Sequence, residues 1–117
     1  MRSSSPDEAT VELVLAEAEA LTALDGAVQA LATIGLVGSA AMVDILAAAA
    51  LRHEPSPRWG LLAEIVESLS RPVACRQATD PKREPALDVL ASLYVAVLEA
   101  EECRRHHSAL TSPGAVA

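Results

Sequence analysis

Aromatic side chains are nearly missing from this chain: its 117 residues hold no phenylalanine, one tryptophan and one tyrosine. A β-sandwich or barrel core, which draws on Ile, Thr, Tyr and Phe, is therefore disfavoured. Cysteine is scarce too. Cys75 and Cys103 form no Cys-x-x-Cys pair, so a disulfide scaffold is excluded and both read as small thiols of a reducing compartment. Positive charge is short: nine Lys and Arg stand against sixteen Asp and Glu, a net charge of −7. Phosphate backbones would be repelled, which disfavours direct nucleic-acid binding. Lys82 is the only lysine, a usage that resembles a GC-rich bacterial genome. A secretory signal is missing as well, because Arg2 is followed by Ser3, Ser4 and Ser5 rather than by an apolar run, and the chain is expected in the cytoplasm. No catalytic motif of any class is present, so the sequence reads as non-enzymatic.

What is there is small and helix-favouring. Half the residues (51%) are hydrophobic, and Ala, Leu and Val supply most of them, enough for one core in a chain of this length. The expectation is a single all-α domain over 1–117, a small four- to five-helix bundle with loose termini at 1–4 and 112–117. The uncharged stretch Gly26 to Val43 is long enough to raise a membrane span. Gln29, Thr33 and Ser39 inside it, Asp25 and Asp44 at its flanks, and Ala in place of Leu point to a buried helix and no membrane contact.

Ser5-Pro6-Asp7-Glu8 starts helix 1, with Ser5 accepting from orphan amides, Pro6 in the first turn and Glu8 placed for a capping box. Val11, Val14, Leu15, Ala18 and Leu21 share one side of it, which makes the helix amphipathic. Asp25 would fall inside that stripe, so a turn is predicted at Leu24 to Gly26, with Asp25 capping helix 2. Helix 2 then runs to about Leu51 with a thin polar strip of Gln29, Thr33 and Asp44. Gly35, Gly38 and Ser39 within it imply a kink or close packing.

Ser56-Pro57 launches helix 3, which gathers Trp59, Leu62, Ile65, Val66 and Leu69 on one side and is closed or bent by Pro72. A short extra turn over 73–79 and a polar hinge over 80–85 lead to helix 4, from about Pro85 to His107. Helices 2 and 4 are apolar round most of their circumference, more than a monomer of this size covers, so the surplus should meet another chain.

Three constellations bear on function. Cys103, His106 and His107 lie within about one helical turn and offer three ligands to a transition metal. The pairs Glu101–Arg105 and Glu102–His106, with cations near a helix C-terminus, explain the same residues without one, and no metal or other cofactor is expected. Arg71, Arg76, Lys82 and Arg83 form the one basic cluster, but acids interrupt it and no aromatics interleave. Glu12, Glu17 and Glu19 form an acidic run that suits either solvent or the steering of a basic partner.

Small residues in helix 2 predict a homodimer through Leu31, Ile34, Gly35, Ser39, Met42 and Ile45. Partner binding is placed on Trp59, Leu62, Val66, Leu90, Leu93, Tyr94 and Val97, because Trp and Tyr are enriched among interface anchors. The competing reading puts Trp59 and Tyr94 in the core.

The Ser-rich start Ser3-Ser4-Ser5-Pro6, the alanine run 47–50 and Trp59-Gly60-Leu61-Leu62 opening a later helix, in a small acidic chain, resemble the QslA family of pseudomonad quorum-sensing anti-activators. The resemblance implies a protein that binds the ligand-binding domain of a LuxR-type transcription factor, covers its dimerisation surface and stops DNA binding. It transfers no functional residue. The residues themselves support a module that sequesters a protein partner, the immunity or antitoxin role being one variant. They leave open a self-assembling scaffold, or a metal or thiol sensor using Cys75, Cys103, His106 and His107.

Overall fold

A computed structural model describes residues 6–52, 57–75 and 79–111. Four helices account for nearly all of them, and no strand occurs among the described residues: α1 (Pro6–Thr33), α2 (Val37–Leu51), α3 (Trp59–Ala74) and α4 (Arg83–Thr111). Antiparallel α1 and α4 lie against each other for most of their length, α3 packs on α4, and α2 closes the circuit by touching α1 and α3. This is the expected all-α bundle, with four helices.

The first correction concerns the end of α1. Asp25 and Gly26 do not break the helix, which continues eight residues past Asp25 to Thr33, and Gln29 Nε2 donates to Asp25 Oδ2 at 2.8 Å one turn on. The reason lies in which side of α1 is buried. Ala9, Ala16, Ala20 and Ala27, with Leu24, Leu31 and Ile34, face the core, whereas Val11, Val14, Leu15 and Leu21 on the opposite side are 47–65% exposed. An amphipathic helix ordinarily turns its larger apolar residues inward. Here Ala16, Ala20 and Ala27 of α1 share one core with Ala86, Ala96 and Ala100 of α4, against which α1 packs, and small side chains admit the short end of the ~8–10 Å range of helix separations. Asp25 thus points to water and costs nothing.

The chain turns instead at Gly35, whose φ of 89° is the left-handed conformation that glycine adopts without penalty. The Leu36 amide donates to the Leu31 carbonyl and the Gly35 amide to the Ala32 carbonyl, a Schellman motif, and Leu36 packs against the core. Close packing of small residues does not explain α2: a Cβ at Gly38 would meet nothing within 4 Å.

α3 begins at Trp59, with the Arg58 amide bonded to the Ala50 carbonyl of α2. Pro72 does not close the helix, which carries on two residues to Ala74, and Val73 is fully buried. α4 starts at Arg83, two residues before Pro85, behind an Asp80 side chain that accepts from the Lys82 amide at 2.9 Å. It also extends four residues past His107, to Thr111. The basic cluster is partly absorbed by helix ends. Lys82 Nζ donates to the Thr33 carbonyl of α1 and Arg83 to the Ala74 carbonyl of α3, where cations meet the negative end of the dipole. The expected caps Ser5 and Ser56, the arginine Arg76 and the loose ends 1–4 and 112–117 lie outside the described residues, as do positions 76–78 of the extra turn expected over 73–79, whose Val73 and Ala74 instead belong to α3.

The result is thin and long. Its extents are 56 × 31 × 18 Å and its radius of gyration is 16.2 Å, against about 13 Å for a compact domain of this length. Its 7255 Å² of accessible surface exceeds the roughly 6,000 Å² of a compact monomer of 12.2 kDa. A slab about two helices thick leaves large helix faces uncovered, and these faces are the functional question.

Candidate functional site

The residues assigned to partner binding do come together, but they come together inside. Trp59, Leu62 and Val66 of α3 and Leu90, Leu93 and Val97 of α4 are all essentially buried. This corrects their placement on a free surface: the apolar side of α3 is the side that α4 covers. The indole satisfies its single donor internally, Trp59 Nε1 donating to Glu17 Oε2 of α1 at 2.9 Å. Tyr94 alone of the seven is half-buried, lining a shallow groove between α3 and α4 with Glu67, Ser70 and Leu87.

The six residues assigned to a dimer divide. Leu31 and Ile34 belong to the core, Gly35 makes the turn, and Ser39 is half-buried. Met42 and Ile45, at 58% and 67% exposure, stand on the outer face of α2. That face is unusual chemically. Gly38, Ala41, Met42, Ile45 and Ala49 share it at helical spacing, and Asp44 is the only charge on the whole helix. Ala40, Val43, Ala47 and Ala50 form the opposite, buried stripe.

Sequence reasoning missed a second uncovered surface, on α1. Val11, Val14, Leu15 and Leu21 make an exposed apolar row, and α1 carries six acids and no base. The signal was Asp25, which shares that row at helical phase and marks the side as solvent-facing once the helix is continuous. On α4 the exposed large apolar residues are Val95 and Leu98.

Titratable groups cluster at the far end of α4. Glu101, nearly enclosed, accepts from Arg104 at 2.8 Å and from Arg105 at 3.3 Å. The hydrogen bond from Arg104 holds the Glu101 carboxyl below its ordinary value against the opposing effect of burial, and both guanidinium charges add to the lowering. The same bond raises Arg104. Glu102 lies 3.8 Å from Arg105, so Arg104 and Arg105, rather than Arg105 and His106, are the cations that the two glutamates engage. His107 Nε2 lies 3.0 Å from Thr10 Oγ1 of α1, tying the helix pair together at this end. Cys75 is exposed at the end of α3 and Cys103 half-buried in α4. Among the described residues, no three His, Cys, Asp or Glu gather where they would hold a metal ion. No described helix is long and apolar enough to cross a membrane.

No protein-family model, curated protein or solved structure proved similar to the chain.

Proposed function

We propose that this protein is a non-enzymatic interaction module that sequesters a protein partner through helix faces its own chain leaves uncovered. One observation carries the reading: the outer face of α2, with Met42 and Ile45 more than half exposed, is a continuous apolar surface on a helix with one charge. Burying such a surface against another protein is favourable by about 25 cal/mol per Å² of apolar area, whereas leaving it in water invites aggregation. The resemblance to the QslA-type anti-activators makes the ligand-binding domain of a LuxR-type transcription factor the partner to test first, with loss of regulator dimerisation and DNA binding as the consequence.

The test is a mobility-shift assay of DNA bound by the LuxR-type regulators of the encoding genome. The parent chain is expected to release at least one regulator from its DNA, and Met42→Lys with Ile45→Lys to abolish release while circular dichroism stays unchanged. If no regulator responds, or if the double variant acts like the parent, the reading fails in that form. The uncharged α2 face also suits a second copy of this chain, since no like charges would oppose one another across it. That homodimer, or a larger scaffold, is the second reading.

A further inference from the structure

The outer row of α1 is an apolar seam closed by an acid at each end. Asp7, Val11, Val14, Ala18, Leu21 and Asp25 follow one another at four, three, four, three and four residues, the alternation that presents one side of a helix to another helix. Asp7 and Asp25 are 18 residues apart, which is five full turns, so they stand on one line along α1 about 27 Å from each other. The four apolar residues between them lie within about 40° of that line. All six are exposed. Val11 and Val14 are each open to 58% and Leu21 to 47%, and Leu15, at 65%, widens the row on one side.

Its charge is of one sign. α1 carries six acids and no base, and among the described residues no cation pairs with Asp7 or Asp25. Asp25 accepts from the neutral side-chain amide of Gln29 at 2.8 Å, which leaves its charge in place.

We propose that this seam receives a helix of a partner protein, one that carries apolar residues at the same three-four spacing and a Lys or Arg opposite each of Asp7 and Asp25. The inference rests on the interaction-module reading and adds a second surface, with the chemistry of its partner. A helix is the occupant because a three-four row packs along a second helix at a shallow crossing angle, ridges into grooves. Cations are required at two points. Val11 and Leu21 each lie one turn from the nearer aspartate, so a helix seated over them brings its ends beside both carboxylates, and a carboxylate removed from water without a partner is costly. A second copy is a poor occupant in either direction. Antiparallel pairing sets Val11 against Leu21 and Val14 against Ala18, but Asp7 then faces Asp25 at both ends; parallel pairing sets each aspartate against itself. An anionic membrane meets the same repulsion.

The experiment uses the full chain and fluorescent synthetic peptides of about 24 residues, read by anisotropy. The first peptide has Leu at three-four spacing, Lys at two seam positions spaced like Asp7 and Asp25, and Ala and Gln elsewhere. The second places Glu at those two positions, and the third scrambles the first. The parent chain is expected to bind the Lys-ended peptide about tenfold or more tightly than either of the others, with the preference over the Glu-ended one shrinking as salt is added. Asp7→Lys with Asp25→Lys is expected to invert that preference, which neither altered folding nor the net charge, still negative, would produce. Val14→Glu with Leu21→Glu is expected to weaken the Lys-ended peptide about tenfold or more, whereas Met42→Lys with Ile45→Lys, on the outer face of α2, binds it like the parent. Absence of binding, equal binding of the scrambled peptide, or an unchanged preference in Asp7→Lys/Asp25→Lys overturns the proposal. So does a parent chain that sediments as a dimer and becomes monomeric in Val14→Glu/Leu21→Glu. If no peptide binds while the parent still releases a regulator from its DNA, the seam is excluded and the interaction-module reading stands.

Discussion

At the scale of single residues, Trp59 shows how one side chain can serve as anchor without touching a partner. Its indole is buried to 1% exposure and its Nε1 donates to Glu17, so it ties α3 to α1 as well as filling the core. Trp59→Ala is expected to cost about 3–5 kcal/mol of folding stability. Trp59→Phe, which keeps most of the volume but orphans the hydrogen bond, should cost less, and Glu17→Gln less still. Thermal melts of the three variants check the order. If Trp59→Ala melts like the parent, the indole is not core.

Glu101 makes a pH-dependent contribution whose sign follows from its lowered pKa. The folded chain binds the Glu101 proton less readily than the unfolded chain. The stabilisation is therefore complete above the ordinary carboxylate value of 4.5 and is lost as pH falls through the lower, folded-state value. Glu101→Gln is expected to lower stability by about 1 kcal/mol at neutral pH, a gap that closes in acid. Urea unfolding at neutral and acid pH measures it, and a gap independent of pH would refute the assignment.

Among the elements, α1 carries the clearest lesson. Val11, Val14, Leu15 and Leu21 outweigh alanine on any hydropathy scale, yet alanine wins the buried side because α1 and α4 run together for roughly 40 Å and small residues let them approach. Gly26 distinguishes a continuous helix from the turn that periodicity suggested. It lies in the helix interior, and a Cβ there meets nothing within 4 Å. Gly26→Ala is accordingly expected to stabilise by about 0.5–1 kcal/mol, raising the melting temperature, whereas a turn glycine would lose stability on the same change. Gly35→Ala is the contrast. At φ 89° it should destabilise, so paired melts of the two variants test both the continuous α1 and the Schellman turn.

For the whole molecule, shape governs what remains exposed. The slab is about two helices thick, so α1, α2 and α4 each present an apolar face to water. Met42→Lys with Ile45→Lys is expected to leave the fold intact while reducing self-association at high protein concentration, because the charges fall on the α2 face alone. Sedimentation of parent and variant decides. Identical concentration dependence would show that this face meets no second copy.

The helical class, the single domain and three of the four helix starts, each placed to within about two residues, were legible in the residues themselves. Alanine and leucine content, Pro6, Pro57 and Pro85, and the polar stretch at 80–85 act through local backbone physics that needs no tertiary partner. Which side of each helix is buried was not local. Burial of the alanine stripe of α1 depends on packing against α4, some seventy residues away, and enclosure of Trp59 depends on the core shared by the helices and on Glu17. Hydropathy along one helix reports how much apolar surface must be covered. Only packing between helices decides which part its own chain covers and which it leaves for another.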